Sequence, residues 1–247
     1  EKEMAVKSGF KTPQWYLIKN SDDLIIAAKS LGNKGVLKTN SLGYDGKGQV
    51  RINENSNLFE VWEQLGSVEC VLEEELKFKR EISIMYFKSF DDSDGFFPIS
   101  ENYHKQGILN KTIAPAIIDN SIEVDLRLKT KELSYNLNFY GVLAIELFEL
   151  YDGSILFNEI APRPHNSFHW SMNGCDNSQF DILIRTICGL PVKDIKCNGK
   201  WEMTNILGEE INNIENIIND QNNILYLYGK KQTKPNRKMG HFNTKII

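Results

Sequence analysis

The pattern of apolar and polar positions is most informative in the middle of the chain. Residues 142–150 and 155–161 are runs of β-branched, aromatic and other apolar residues, and the segment 151–154 between them contains an Asp-Gly pair. Asp-Gly between two such runs is typical of a hairpin turn, so we predict two antiparallel strands. Whether the loop has two residues or four, counting outward from it places Glu146 directly opposite Glu159.

The rest of the pattern predicts a mixed α+β protein. Short apolar runs favour strands, and a polar cap followed by an apolar period of 3.6 favours helices. Residues 101–107 are polar and are predicted to form a loop. Predicted strands are 14–18, 35–39, 49–52, 80–87, 96–99, 203–207, 224–228 and 240–246, with a strand and connector at 70–76; predicted helices are 21–31, 58–65, 122–140, 209–218 and one ending at residue 188.

The two facing glutamates suggest a metal site. Their neighbours on both strands are apolar, so the acids are expected in a largely covered sheet, where opposed like charges are unfavourable. Asn158 adds a neutral oxygen beside Glu159. An oxygen-only set of few protein ligands suits Mg²⁺ held jointly with the phosphates of a substrate. The alternative is a surface hairpin that carries two solvated glutamates.

A glycine-rich stretch at 41–48 lies between two predicted strands. Its backbone can approach a ligand closely and direct several N–H groups at an anion. Lys38 on the preceding strand and Lys47 in the loop bring two ammonium groups to the same place, which indicates a polyphosphate cradle; a flexible turn is the alternative. Glu73, where a strand runs into a connector, could accept hydrogen bonds from a ribose, or could be a solvated strand end.

Two further segments carry candidate polar groups. Residues 162–170 contain two prolines, which favour extended backbone before them and make a continuous helix doubtful. His165 and Asn166 in that segment are interpreted as hydrogen-bonding groups for a polar substrate rather than as metal ligands. Lys230 and Arg237 belong to the densest basic cluster of the chain, which is either an anion-binding loop or a solvated segment.

Composition narrows the class of protein. The chain has 247 residues, a formal net charge of -4 and no long basic run, so a nucleic-acid partner is not indicated. No apolar run approaches the length of a membrane span, and the first residues do not form a signal peptide. The four cysteines are scattered without a CxxC pair. We therefore expect neither a zinc site nor a disulfide framework, as is compatible with a reducing cytosol.

Several motifs of this chain occur together in one enzyme family. They are Lys38 with the stretch 43–48, Arg80-Glu81, Glu146, the string Asn-Glu-Ile-Ala-Pro-Arg-Pro-His-Asn-Ser at 158–167, Ser-Gln-Phe at 178–180 and Arg-Lys-Met-Gly-His at 237–241. Together they resemble the N5-carboxyaminoimidazole ribonucleotide synthetase family, ATP-grasp ligases of purine biosynthesis. The string at 158–167 is the most specific part, and the resemblance covers nearly the whole chain.

The resemblance implies a reaction and a role for each matching residue. ATP, bicarbonate and 5-aminoimidazole ribonucleotide would give the N5-carboxylated product, ADP and phosphate through carboxyphosphate, with Mg²⁺ as cofactor. It also implies a cytoplasmic homodimer. Lys38, Gly43, Tyr44, Asp45, Gly46, Lys47, Gly48 and Gln49 would bind phosphates; Glu73, Glu74, Glu75, Leu76 and Glu81 would bind adenosine; His104 would line the nucleotide site; Glu146, Asn158 and Glu159 would hold Mg·ATP; and Arg80, His165, Asn166, Lys230 and Arg237 would face bicarbonate and the ribonucleotide.

The expected architecture is an α+β ATP-grasp fold. We expect a helix tail or linker at 1–11, a lid subdomain at 12–77, an antiparallel catalytic sheet at 78–190 and a small C-terminal β-rich subdomain at 191–247. Full-length members of the family have a Rossmann-like front domain, and we expect this sequence to lack it. Phe168 replaces the glycine of the usual His-Asn-Ser-Gly-His, and we expect that ring to affect substrate fit.

Two other functions are compatible with the same motifs. The first is the related formate-dependent glycinamide ribonucleotide transformylase. The second is a truncated, catalytically silent ATP-binding module.

Overall fold

The computed structural model describes residues 1–40 and 48–246. It forms two compact units: residues 12–78 are the smaller unit, and residues 1–11 together with those from 79 onward are the larger one. Most of the predicted glycine-rich cradle, from Gly43 to Lys47, lies outside the described residues. Along residues 1–40 and 48–246, no helix has both the length and the apolar character that crossing a bilayer requires.

The smaller unit is a four-stranded antiparallel sheet covered by two helices. Leu24 and Ala28 from one helix pack on Leu37 and Leu72 from the sheet, and all four are buried. In chain order the elements are β1 (Trp15–Ile18), α2 (Ser21–Ser30), β2 (Gly35–Thr39), β3 (Gln49–Ile52), α3 (Leu58–Gln64) and β4 (Cys70–Glu73), and the strand order is β1-β4-β2-β3; α1 (Lys2–Lys7) precedes them in the larger unit.

The larger unit is built on a nine-stranded sheet in which every pairing between named strands is antiparallel. Its strand order is β10-β9-β5-β7-β8-β11-β13-β12, with β6 paired to β5. The elements are β5 (Arg80–Lys88), β6 (Asp94–Phe96), β7 (Ser100–Lys105), β8 (Ile108–Ala114), α4 (Asn120–Asn136), β9 (Gly141–Glu149), β10 (Ile155–Ala161), α5 (Ser171–Gly174), α6 (Gln179–Ile187), β11 (Lys200–Leu207), α7 (Ile214–Asn219), β12 (Asn223–Leu227) and β13 (Lys238–Ile246).

Successive side chains of a strand point to opposite faces, so the sheet separates two cores. On one face, Ile82 and Ile145 pack with Leu126 from α4. On the other, Met85 and Ala144 pack with residues that follow β10, among them Trp170. The candidate site lies on this second face.

Three sequence-based expectations differ from the structure. The stretch expected to be a polar loop at 101–107 is mostly strand β7, because it pairs with β5 and β8 on both sides despite its polar composition. The expected C-terminal β-rich subdomain at 191–247 lies within the larger unit, and its strands continue the large sheet through the pairing of β8 with β11. Cys175 and Cys197 are joined by a disulfide, because an antiparallel bridge pairs these two positions, a contact that their spacing does not reveal.

Candidate functional site

The hairpin of β9 and β10 brings Glu146 and Glu159 directly opposite each other, as predicted. The connecting loop, however, has neither the two nor the four residues considered above. Leu150 pairs with Ser154 around a three-residue loop, in which Gly153 has the positive φ of +82° that glycine tolerates. That register would offset the two acids by one residue, but a β-bulge between Phe157 and Glu159 absorbs the difference. The bulge therefore aligns the acids.

The two carboxylates differ in burial. Glu146 is buried in the middle of the sheet, whereas Glu159 is exposed on β10. Burial, together with the negative charge of Glu159, raises the pKa of Glu146 from 4.5 to about 7. Glu146 is thus an acid whose charge lacks sufficient compensation in this structure, as expected for a site that a cation completes.

Asn158, expected to supply a third oxygen ligand, lies at the bulge and is partly buried. Its backbone carbonyl accepts a hydrogen bond from Lys2 Nζ at 3.2 Å. The bulge thus holds Asn158 beside Glu159 while its main chain is bound to α1. The role of its side chain as a ligand stays a prediction.

A second acid–histidine pair lies on the same face. His104 Nδ1 is 2.5 Å from Glu81 Oε2, and both side chains are about one-sixth exposed. Burial alone would lower the pKa of His104, but the hydrogen-bonded Glu81 carboxylate and the charge of Glu146 raise it above the ordinary value. His104 is therefore fixed on a strand between acids, rather than in a loop as the sequence had suggested.

The segment after β10 places two more groups at the site. His165 is buried, and its Nε2 is 3.6 Å from Glu146 Oε1. Asn166 begins a short 3₁₀ turn, and both polar atoms of its side chain are buried without a hydrogen-bond partner among the described residues. Such an amide is ready to bind a ligand, because leaving it unsatisfied costs free energy. The structure thus brings His165 to the acids, with Asn166 as the next residue along the chain.

The residues present fit a divalent cation. Glu146, Glu159 and His165 offer atoms that all lie within 4.8 Å of one another, and Glu81, His104 and Glu146 form an overlapping set. Two carboxylates from neighbouring strands are the oxygen ligands that Mg²⁺ prefers, with the remaining positions open to water and phosphate oxygens. The buried charge of Glu146 provides the driving force.

In the smaller unit, Lys38 Nζ lies 3.0 Å from Glu73 Oε2, with Glu73 almost fully buried and Lys38 partly exposed. Gly48 has a φ of +76° and accepts a backbone hydrogen bond from Thr39, and Gln49 pairs with Lys38 at the start of β3. The predicted phosphate- and ribose-binding residues thus share one sheet. Their roles stay predictions.

The other connector residues of the smaller unit are arranged differently. Glu74 is exposed and accepts a hydrogen bond from the backbone N–H of Gln14, while Glu75 pairs with Arg51 at 2.9 Å. Leu76 is partly buried. The two acids therefore bind neighbouring chain segments in this structure.

Arg80 is not brought to the site. Ser83 pairs with Glu146, and Arg80 is three residues away on the same strand, so it points to the opposite face of the sheet. There its guanidinium contacts Glu149 at 2.5 Å and Glu101 at 2.8 Å, and donates to the Ile117 carbonyl. These contacts satisfy the guanidinium, so the expectation that Arg80 faces bicarbonate is corrected: the structure gives it a structural role.

The basic loop between β12 and β13 carries Lys230 and Arg237. Lys230 Nζ donates to the carbonyl of Lys238, and Arg237 Nη1 donates to the carbonyl of Gln232 at 2.9 Å. Both side chains are partly buried rather than extended into solvent. These contacts organise the loop, and its function in anion binding stays a prediction.

Phe168, which stands in place of the usual glycine of the family, is a core residue. Its side chain is fully buried in the core on this face of the sheet, with its ring 6.1 Å from that of Phe97 and 6.5 Å from that of Trp170. The ring therefore fills the interior beneath the loop. Its effect on substrate fit stays a prediction.

The comparisons with known proteins agree with this geometry. The ATP-grasp domain model matches residues 3–180, and the model of the phosphoribosylaminoimidazole carboxylase C-terminal domain matches residues 202–245. The fold and the facing acids thus define a member of the ATP-grasp class, as the sequence predicted. The two domain matches in this order, together with the relatives described below, identify one family within that class.

Within that class, the chain belongs to the N5-carboxyaminoimidazole ribonucleotide synthase family. It is 37% identical to the synthase of Brucella melitensis biotype 1 over 98% of this chain and 67% of the relative. The ADP complex of the Staphylococcus aureus synthetase superposes with a TM-score of 0.92 at 37% identity, covering 100% of this chain and 66% of that one.

A third relative is a complex that contains both a nucleotide and a ribonucleotide. The Aspergillus clavatus synthase with ADP and 5-aminoimidazole ribonucleotide superposes with a TM-score of 0.88 at 27% identity, covering 99% of this chain and 67% of that one. Overall, the chain spans about two thirds of the length of the curated synthases it matches.

Proposed function

We propose that this protein catalyses the ATP-dependent carboxylation of 5-aminoimidazole ribonucleotide with bicarbonate, giving N5-carboxyaminoimidazole ribonucleotide, ADP and phosphate. The observation that carries the proposal is the alignment of Glu146 and Glu159 by the bulge in β10, with His165 beside them and Asn166 as the next residue of the chain. Family membership supplies the identity of the substrates.

The reaction would proceed in two transfers. A bicarbonate oxygen attacks the γ-phosphorus of ATP, and the bond to the β,γ-bridging oxygen breaks, which gives carboxyphosphate and ADP. The amine of the ribonucleotide then takes the carboxyl group and loses a proton, and inorganic phosphate leaves. Phosphoryl transfer of this kind depends mainly on positioning and on neutralising charge.

The residues of this chain divide those tasks. Mg²⁺, held by Glu146 and Glu159, would neutralise phosphate charge. Asn166 would use its buried, unpartnered amide to hold bicarbonate or the developing carboxyl group. His165, next to Glu146, would orient the same substrate. Glu81 and His104 would provide polar groups where the nucleotide binds.

In the smaller unit we propose that Lys38 binds phosphate and Glu73 binds the ribose hydroxyls of the nucleotide. Their mutual ion pair would be exchanged for these contacts when ATP binds, because the Lys38 ammonium can pair with a phosphate and the Glu73 carboxylate can accept hydrogen bonds from the ribose hydroxyls. Lys230 and Arg237 are proposed to bind the phosphate of the ribonucleotide.

The test is ADP release measured with each acid and each amine in turn. We expect turnover with bicarbonate and 5-aminoimidazole ribonucleotide, and none with formate and glycinamide ribonucleotide. Glu159→Gln should lose at least roughly 100-fold in kcat while remaining folded by circular dichroism. Glu63→Gln, a change at an exposed helix position, is the matched control. Full turnover by Glu159→Gln would refute the metal assignment.

The two alternatives predict other results. A transformylase would release ADP with formate and glycinamide ribonucleotide, and a silent module would bind ADP without turnover in any arm. The relatives named above favour neither.

We also propose that the protein acts in the cytoplasm as a homodimer. Both statements come from the family, and the Cys175–Cys197 bridge removes the argument for a reducing compartment that cysteine spacing had offered. Light scattering of the purified protein tests the dimer, with twice the 28.4 kDa chain mass as the expected value.

A further inference from the structure

Gln179, the first residue of α6, is fully buried and lies at the centre of a hydrogen-bond network beneath the candidate site. Its side-chain oxygen accepts from the backbone N–H of His165 at 2.7 Å, and its side-chain nitrogen donates to the His165 carbonyl at 2.9 Å. A single amide thus binds both polar groups of the His165 backbone, as a neighbouring strand would.

These contacts determine the orientation of the amide. A backbone N–H can only donate and a carbonyl can only accept, so the oxygen of Gln179 faces the first and its NH₂ faces the second. The second proton of that NH₂ is then directed at His169 Nδ1, 2.8 Å away. His169 Nδ1 must accept this bond, so His169 is neutral and carries its proton on Nε2.

The electrostatics of His169 agree with this assignment. Burial, followed by the charge that His241, His165 and Lys238 carry when protonated, lowers the pKa of His169 to about 3. The ring is therefore neutral, and able to accept the Gln179 bond, at pH values well above 3.

The backbone held by Gln179 belongs to the residue that carries the site. The His165 backbone is extended, with φ -122° and ψ 146°, and its ring reaches 3.6 Å from Glu146. Asn166, the next residue, has the buried and unpartnered amide described above. Any rotation of the His165 backbone would move both side chains, and misplacing a reacting group by about 1 Å can cost roughly 100-fold in rate.

The helix that supplies Gln179 is itself fixed. Gln179 N–H donates to Ser171 Oγ at 3.0 Å, and Ser178 caps α6 through a reciprocal bond with Asp181. The amide is therefore attached to rigid elements on both sides, which is what a group that orients other residues requires.

We propose that Gln179 is a positioning residue for the carboxylation chemistry, acting through the backbone of His165 and the tautomer of His169. This inference rests on the proposed function of the site. Gln179 is fully buried and acts through His165 and His169, so it should affect the chemical step and the binding of the substrate that His165 and Asn166 hold, but not the binding of nucleotide.

The decisive variant is Gln179→Glu, which keeps the shape and the acceptor oxygen but loses both donated bonds when ionised. We expect kcat to fall roughly 10- to 100-fold at pH 8, with the KM for ATP within twofold of wild type. Activity should recover partly as the pH falls and the introduced carboxyl group regains a proton to donate. ¹⁵N spectra should show the Nε2–H tautomer of His169 in wild type and its loss in the variant.

The matched control is Ser178→Ala, which removes the helix cap one residue away and leaves the Gln179 amide contacts in place. It should cost the fold about 1 kcal/mol and change kcat less than twofold. If it lowers kcat as much as Gln179→Glu does, general loosening of α6 explains both, and the inference is wrong.

The remaining outcomes separate the two proposals. If wild type is active and Gln179→Glu is equally active, the positioning role is overturned while the proposed function stands. Wild type with no turnover overturns the proposed function. In that case the His169 tautomer in the two proteins tests the network itself, and an unchanged tautomer overturns it too. Should Gln179→Glu fail to fold, Gln179→Met with the same ATP and tautomer measurements replaces it.

Discussion

Neutralising Glu146 should stabilise the metal-free protein while removing its metal-dependent function. Because the pKa of Glu146 rises from 4.5 to about 7, the folded state favours the protonated acid. The free energy of unfolding is therefore not reduced by Glu146 below pH 4.5. It falls as the pH rises from 4.5 to about 7, where Glu146 ionises, and the loss is complete above pH 7. Each pH unit of the difference is worth about 1.4 kcal/mol, which gives a total of about 3 kcal/mol for a side chain this deeply buried.

The variant Glu146→Gln keeps the shape of the side chain without its charge. In EDTA at pH 8 we expect its free energy of unfolding to exceed that of wild type by up to about 3 kcal/mol, with the two converging near pH 4.5. The assay is urea unfolding followed by tryptophan fluorescence at several pH values. Glu63→Gln, at an exposed position, should match wild type throughout.

Ligand should reverse the order of stability. With Mg²⁺ and ADP at about 1,000 times the dissociation constant, wild type gains about 4.1 kcal/mol and the variant gains little from the metal. If Glu146→Gln is less stable than wild type in EDTA at pH 8, the buried charge is already compensated within the fold, and the reasoning that it awaits a cation is refuted.

Three further changes have defined outcomes. Arg80→Met removes one of the two cationic partners of nearly buried Glu149, leaving Lys79, and should cost about 2 kcal/mol in urea unfolding while leaving the KM for bicarbonate within twofold. A large rise in that KM without destabilisation would return Arg80 to the substrate site. Cys175→Ser removes a disulfide between residues 22 apart and should lower the free energy of unfolding by about 3 kcal/mol. The variant should be as stable as wild type treated with reductant, and equal stability of oxidised and reduced wild type would contradict this. Burial lowers the pKa of His241 to about 4, so its neutral form contributes stability above pH 6.5 that is lost as the pH falls toward 4; His241→Gln should flatten the acid side of the stability profile by about 3 kcal/mol, and an unchanged profile would contradict this.

The pairing of Glu146 with Glu159 was predictable, but the means by which it arises was not. Apolar runs and Asp-Gly identify a hairpin, and counting gives the correct partners. The actual loop has three residues, and the bulge near Asn158 restores the alignment. Nothing in the residue types at 157–159 marks a bulge, because its cause is the fit of the strand to its neighbours.

Polar strands were the main failure of the sequence-based fold. Residues 101–107 were predicted to form a loop because they contain few apolar side chains, whereas residues 100–105 form β7. In the structure their polar groups bind across the sheet: Asn102 Nδ2 donates to Ser83 Oγ and Thr112 Oγ1 donates to Asn102 Oδ1. A strand whose inward side chains satisfy one another lacks the alternation of polar and apolar residues on which the prediction depends.

Gln179 and Arg80 are two residues whose roles the sequence alone did not reveal. The Ser-Gln-Phe motif was visible as part of a family resemblance, but its chemistry appears only once α6 and the loop at 165–169 meet. Arg80 was assigned to the substrate from its place in the family motif, although successive residues of a strand point to opposite faces and Arg80 is next to Glu81. The alternation was the stronger evidence.

The central claim is that Glu146 and Glu159 hold the cation that accompanies the nucleotide. Calorimetric titration of ADP into wild type and Glu159→Gln, with Mg²⁺ and again with EDTA, tests it most directly. We predict that Mg²⁺ tightens ADP binding at least tenfold in wild type and less than twofold in the variant. An equal gain from Mg²⁺ in both proteins would contradict the claim.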